Sequence, residues 1–233
     1  MPTPGLFITG TDTHVGKTYV TALIARQLAT EGRRVGVYKP AASGCCGDER
    51  DDAFVLWDAA GRPATIDEVC PQRFTAPLAP HLAARAEGRE VDAELLRSGL
   101  DFWCDRSDVV LVEGIGGLMS PVTDDEYVAD IAYDFGLPLI VVAPNALGVI
   151  NQTLQTLITA STFRDGLEVA GVVLNNLPHL GCEDDESKLS NANELARRCV
   201  PPVLASVDGH LDCDLNWFEW IRDVRRAKTQ PDF

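Results

Sequence analysis

Short apolar, β-branched runs recur along this chain, separated by longer stretches with helical periodicity. Gly5 to Thr9, Arg34 to Lys39, Asp108 to Val112, Pro138 to Ala143, Val169 to Leu174 and Pro202 to Ala205 predict strands. Lys17 to Thr30, Asp51 to Ala60, Asp92 to Cys104, Tyr127 to Phe135 and Val149 to Phe163 predict helices. Runs such as Val109-Val110-Leu111-Val112 and Leu139-Ile140-Val141-Val142 are apolar at every position, so neither face can stay in water. The alternation implies an α/β fold, a doubly wound and mostly parallel sheet with helices on both faces. All 233 residues are expected to form one domain. Ligands in such folds bind beyond the carboxyl ends of the strands, which is where the polar and glycine-rich segments fall.

Composition narrows the function. Apolar residues make up 45% and charged residues 24%, the balance of a folded chain rather than a disordered one. A formal net charge of −15 repels phosphate backbones and anionic lipid, which argues against nucleic acid as a partner. The lysines are Lys17, Lys39, Lys188 and Lys228, and two of them fall in the motifs below. No apolar run approaches the roughly 20 residues that span a bilayer. The opening Met-Pro-Thr-Pro-Gly-Leu has no basic n-region or apolar h-region, so a cytoplasmic location is expected. Seven scattered cysteines, with no Cys-x-x-Cys pair, read as free thiols; Cys45 and Cys46 are adjacent in a loop.

Strand Leu6-Phe7-Ile8-Thr9 runs into Gly10-Thr11-Asp12-Thr13-His14-Val15-Gly16-Lys17-Thr18 and then a helix, the setting of a phosphate-binding P-loop. Backbone N–H groups and the positive end of the helix would cradle phosphates. Lys17 would reach the β and γ oxygens, and the Thr18 hydroxyl would ligate Mg²⁺. The first glycine comes one place early, at Gly10 rather than 11. A glycine-rich turn that happens to precede Lys-Thr is the plain alternative, and the flanking strand and helix weigh against it. A second segment, Val112-Glu113-Gly114-Ile115-Gly116-Gly117, leaves a buried strand with an acidic residue placed for a metal and glycines that let backbone approach a ligand. The third, Tyr38-Lys39-Pro40-Ala41-Ala42-Ser43-Gly44, sets a lysine on the same rim, where it could meet a transferring phosphoryl group.

Together these segments resemble the dethiobiotin synthetase family. Its pattern is matched at residues 9 to 18, 38 to 44 and 112 to 117, with further likeness at Phe74 to His81, Leu147 to Asn151 and Gly171 to Asn175. The resemblance implies that ATP, CO₂ and 7,8-diaminononanoate give dethiobiotin, ADP and phosphate with Mg²⁺, through a carbamate and a carbamic-phosphoric anhydride. Lys17, Lys39 and Thr11 would be catalytic, and Thr18, Asp52 and Glu113 would surround the metal. His14, Val15, Gly16, Lys17, Thr18, Tyr19, Gly114, Ile115, Gly116, Asn175 and Asn176 would line the nucleotide, with Asn175 reading the adenine edge. Thr11, Ser43, Gly116 and Gly117 would contact the diamine or its carbamate. The resemblance also implies a homodimer in which Leu147, Gly148 and Asn151 of one chain hold the substrate carboxylate of the other. His14, Asn176 and Ala146 depart from a common Glu, Asp and Lys, and none of the three removes a metal ligand.

Two other readings share parts of this pattern. Another P-loop ligase would not need Lys39-Pro-Ala-Ala-Ser-Gly, and a partition-type ATPase switch carries an extra early P-loop lysine that is absent here. His81, flanked by Pro80 and Leu82, reads as structural; Trp217, Phe218, Trp220 and Ile221 read as a cap on the core or a dimer seam.

Overall fold

Strand β1 (Gly5–Gly10) is buried at all six positions, which requires cover on both faces and a neighbour along each edge. The computed structural model, which describes residues 3–177, 184–208 and 216–227, supplies both. Strands β2 (Val35–Tyr38), β5 (Val109–Gly117), β6 (Leu139–Pro144), β7 (Val169–Asn175) and β8 (Val203–Val207) join β1 in one six-stranded sheet of order β2-β5-β1-β6-β7-β8. Every pairing is parallel. Between them lie α1 (Lys17–Thr30), α2 (Asp52–Ala59), α5 (Ala93–Cys104), α6 (Val128–Phe135) and α7 (Val149–Thr162), within a residue or two of the predicted spans.

The connectivity explains where a ligand can go. From β1 the chain crosses to β2 beyond β5, whereas β6 lies on the other side of β1. The sheet therefore changes direction at the carboxyl end of β1, and a crevice opens there. The register shifts at the same place: Ile8 pairs with Glu113, but Gly10 pairs with Gly117. Strand β5 thus overruns its partner and carries Glu113 to Gly117 alongside the loop that follows β1.

Elements that periodicity did not predict are short or polar. The helices α3 (Ile66–Val69) and α4 (Pro80–Ala86), and the two-residue parallel pair β3 (Ala41–Ala42) and β4 (Gln72–Arg73), are too brief to display a period. Helix α8 (Lys188–Arg198) buries only Asn191 and Leu195. Near the C-terminus the polar, aromatic-bearing segment forms helix α9 (Trp217–Ala227). Trp217, Phe218 and Ile221 anchor that helix in the main core, with the Arg33 guanidinium 3.7 Å over the Phe218 ring. Ahead of α8, Asp185 accepts from the N–H groups of Leu147 at 2.7 Å and Ser187 at 3.0 Å. Cys45, Cys46, Cys70 and Cys199 are free thiols, while Cys182 and Cys213 lie outside the described residues. Among the described residues no helix is long and apolar enough to cross a membrane.

Candidate active site

Gly10 ends β1 where the chain must turn sharply. A Cβ there would lie 2.6 Å from Val15 Cγ2 and 2.9 Å from the Asp12 carbonyl, so this early glycine is the one the turn requires. The loop then enters α1 through Gly16 at φ +89°, a left-handed position that suits glycine. No side chain caps the helix and no acidic residue occupies its first turn, so the orphan N–H groups there remain available to an anion. Lys17 folds back, its Nζ donating to the Asp12 carbonyl at 3.0 Å.

Lys39 follows β2 directly. Its backbone is held by the N–H of Lys39 donating to Val69 O at 2.8 Å, and the preceding Tyr38 hydroxyl reaches the carbonyls of Leu95 and Leu96 at 3.0 Å each. The Lys39 side chain, 4% exposed, bridges Asp52 Oδ2 at 2.7 Å and Glu113 Oε1. The Thr18 hydroxyl donates to the same Glu113 Oε1 at 2.9 Å, whereas Glu113 Oε2 is buried without a partner. Two lysines and two carboxylates therefore neutralise one another around a cavity of about 750 Å³ lined by Lys17, Thr18, Lys39, Ser43, Asp52 and Gly116, among others.

Burial dominates the electrostatics. It lowers the Lys17 ammonium to about 8, with the Lys39 charge adding to the effect. Burial would lower Lys39 too, but the charges of Glu113 and Asp52 outweigh it and hold that ammonium above the usual lysine range. Glu113 is pushed up by burial against the pull of Lys39. Asp52 is held down, chiefly by the Lys39 charge.

A hard divalent ion takes oxygen ligands, and Mg²⁺ keeps several waters or phosphate oxygens of its own. The Thr18 hydroxyl, the Asp52 carboxylate and the idle Oε2 of Glu113 form a donor set of that kind. Among the described residues no group of three or more His, Cys, Asp or Glu is placed to hold a metal ion.

Of the residues singled out in the sequence, His14, Gly16, Lys17, Thr18, Tyr19, Lys39, Ser43, Asp52, Ile115 and Gly116 line this cavity. Thr11, Gly117 and Asn151 line a neighbouring cavity of about 630 Å³, together with Ser120, Gln152 and Gln155. Val15 is buried beneath the loop, and Gly114 packs against Phe7 and Val128. Asn175 is fully buried, its Nδ2 donating to Val15 O at 3.1 Å and its Oδ1 accepting from Leu177 N at 3.2 Å. Asn176 donates to Ser206 Oγ at 2.6 Å. Leu147 is 85% exposed and Gly148 caps α7, apart from both cavities. Sequence reasoning missed Gln152 and Gln155, although Asn151, Gln155 and Thr159 recur at i, i+4 and i+8 as one polar stripe of α7. It also missed Arg50, which lies on the first cavity with Cys45 and Cys46.

This fold and site define a P-loop α/β protein that binds a nucleoside triphosphate. Residues 4–214 match a family model described as an AAA domain. A relative from Rhodopirellula baltica named ATP-dependent dethiobiotin synthetase is 45% identical, covering 86% of this chain and 82% of its own. Another of that name, from Bacillus subtilis (strain 168), is 35% identical and covers 86% and 85%. Among solved structures, a protein assigned to plasmid partition from Borrelia burgdorferi B31, bound to AMPPNP, superposes with a TM-score of 0.52 over 98% of this chain and 100% of its own. At 11% identity that likeness speaks for the fold alone. The chain belongs to the family of ATP-dependent dethiobiotin synthetases.

Proposed function

We propose that the chain carries out the ATP- and Mg²⁺-dependent carboxylation and ring closure of 7,8-diaminononanoate with CO₂, giving dethiobiotin, ADP and phosphate. The observation that carries this reading is the convergence on one P-loop cavity of Lys17, Lys39 and Asp52, with Glu113 bonded to Lys39.

An amine of the substrate adds to CO₂ and loses a proton, leaving a carbamate. A carbamate oxygen attacks the γ-phosphorus as ADP departs, which gives a mixed carbamic-phosphoric anhydride. The second amine then attacks the carbamoyl carbon; the C–O bond breaks, phosphate leaves with its electron pair, a proton is lost and the cyclic urea closes. Carbamate and triphosphate are both anions, so catalysis must consist largely of neutralising charge and fixing position. Lys17 and the first-turn N–H groups of α1 bind the phosphates. Thr18, Asp52 and Glu113 would hold Mg²⁺, which when bound offsets negative charge on the β- and γ-phosphates. Lys39 serves the transferring phosphoryl group, and Ser43, on the same cavity, serves the carbamate.

The neighbouring cavity receives the diamine, with Thr11 and Gly117 as its contacts. Leu147, Gly148 and Asn151 belong to the carboxylate end in a homodimer; the exposure of Leu147 at 85% and Ile158 at 62% supports a covered face there. Asn175 and Asn176 stand at the adenine end, where Asn175 ties β7 to Val15 of the P-loop. The reaction belongs in the cytoplasm, where ATP is made.

The test is phosphate release from ATP, Mg²⁺ and bicarbonate, with and without 7,8-diaminononanoate, and with Lys39→Ala as control. Release that needs the diamine, yields dethiobiotin by mass and collapses in the variant is the expected result. ATP turnover indifferent to the diamine would overturn the proposal.

A further inference from the structure

The bonds around Glu113 divide unequally. Its Oε1 accepts from Thr18 and from Lys39, while its Oε2, equally buried, has no partner. Asp52 shares the same ammonium at 2.7 Å. The cation that joins the two carboxylates is thus the side chain otherwise cast as the catalytic lysine, and in this arrangement it is 4% exposed and turned toward protein. An ammonium so engaged cannot also meet an incoming anion.

We propose that Lys39 is the resting site's own cation, holding Asp52 and Glu113 together until a divalent ion displaces it and frees its ammonium for the reacting anions. The proposal rests on the reading of Thr18, Asp52 and Glu113 as metal holders. Three observations carry it beyond that reading. Like charges repel, so a divalent ion between these carboxylates and an ammonium in the same place exclude one another. The main chain of Lys39 is pinned by Val69 O and by the Tyr38 hydroxyl bonds, so displacement needs only rotation of a flexible four-carbon stem. The charges also balance: Lys17 and Lys39 offset Asp52 and Glu113, and a divalent ion that takes the place of Lys39 offsets both carboxylates by itself, leaving the two ammoniums in excess at the cavity where anions arrive. Metal binding and lysine release then become one event, so the site presents its second positive charge only when a metal is there to complete the phosphoryl transfer.

The experiment uses nucleotide-free protein and Mn²⁺, followed by electron paramagnetic resonance. Lys39→Met should bind Mn²⁺ at least tenfold more tightly than the unaltered chain; equal or weaker binding overturns the proposal. A second measurement needs no variant: acylation of Lys39 by an amine reagent, read by peptide mass spectrometry, should rise severalfold when Mg²⁺ or Mn²⁺ is added. Labelling that stays constant overturns the displacement even if the affinity changes. Asp52→Asn and Glu113→Gln, measured with ATP present, separate this inference from the one beneath it. If they leave Mn²⁺ binding intact, the metal-holding assignment fails and this inference fails with it. If they weaken binding while Lys39→Met does not tighten it, the displacement alone fails.

Discussion

The lowered Lys17 ammonium gives a pH dependence that can be worked through. In the free protein burial brings this lysine to about 8, because its charge is desolvated and Lys39 adds repulsion. A bound triphosphate reverses both effects by placing negative oxygens against the ammonium, so nucleotide binding requires the charged form. At pH 7 about nine-tenths of the free protein carries that charge, and at pH 9 about one-tenth does. Affinity for ATP should therefore fall about tenfold from pH 7 to pH 9, near 1.4 kcal/mol, and tenfold again by pH 10. The assay is calorimetry with metal-free ATP in a chelating buffer, which keeps other cations from entering the balance. Lys17→Arg is the control, since a guanidinium stays charged throughout and should give a flat profile whatever its absolute affinity. A flat profile for the unaltered chain, or an equal slope in Lys17→Arg, would refute the reasoning. The same shift has a stability counterpart. Lys17 is lowered in the folded state, so between about pH 8 and the ordinary lysine value the unfolded chain holds more protons, and this group's contribution to stability rises with pH across that window.

Three further outcomes are expected. Lys39→Met should lose about 3–5 kcal/mol in chemical denaturation at pH 8, because Glu113 is left charged and buried beside Asp52, and Lys39→Met/Glu113→Gln should recover most of it. With its partner gone, Glu113 has a folded value raised by burial, so the loss should be small at pH 5, grow as pH rises from the ordinary carboxylate value toward that raised value, and level off above it. Gly10→Ala should cost about 1–3 kcal/mol and abolish nucleotide binding by calorimetry, since Val15 and the Asp12 carbonyl must move out of the loop geometry. A bulky maleimide on Cys46, an exposed thiol on the wall of the P-loop cavity, should block ATP binding, and saturating ATP should slow that labelling severalfold; modification without loss of binding would count against the cavity as the nucleotide site.

Much of this molecule is written locally. Runs apolar at every position, such as Leu139 to Val142, can only be central strands, and the helices between them have period and length enough to be read directly. The P-loop is likewise a matter of near neighbours: strand, glycine, lysine, threonine and helix within a dozen residues. Sequence pattern therefore determined the α/β class, the parallel sheet, the rim on which ligands bind, and Lys17 and Lys39 on that rim, while Ser43, Asp52 and Gly116 were implied by the family resemblance; that all five line one cavity is a fact of the tertiary structure. It could not decide which side chains satisfy one another, because such bonds join residues distant in the chain. Lys39 and Glu113 are 74 positions apart, and Asn175 and Val15 are 160. Nor could it reveal that Gly10 is required by contact with Val15 and Asp12, or that Asp185 fastens Leu147. Periodicity records which face of an element is dry; the pairing of charges inside a cavity depends on how elements far apart in sequence are brought within hydrogen-bond reach, and that is settled only when the sheet assembles.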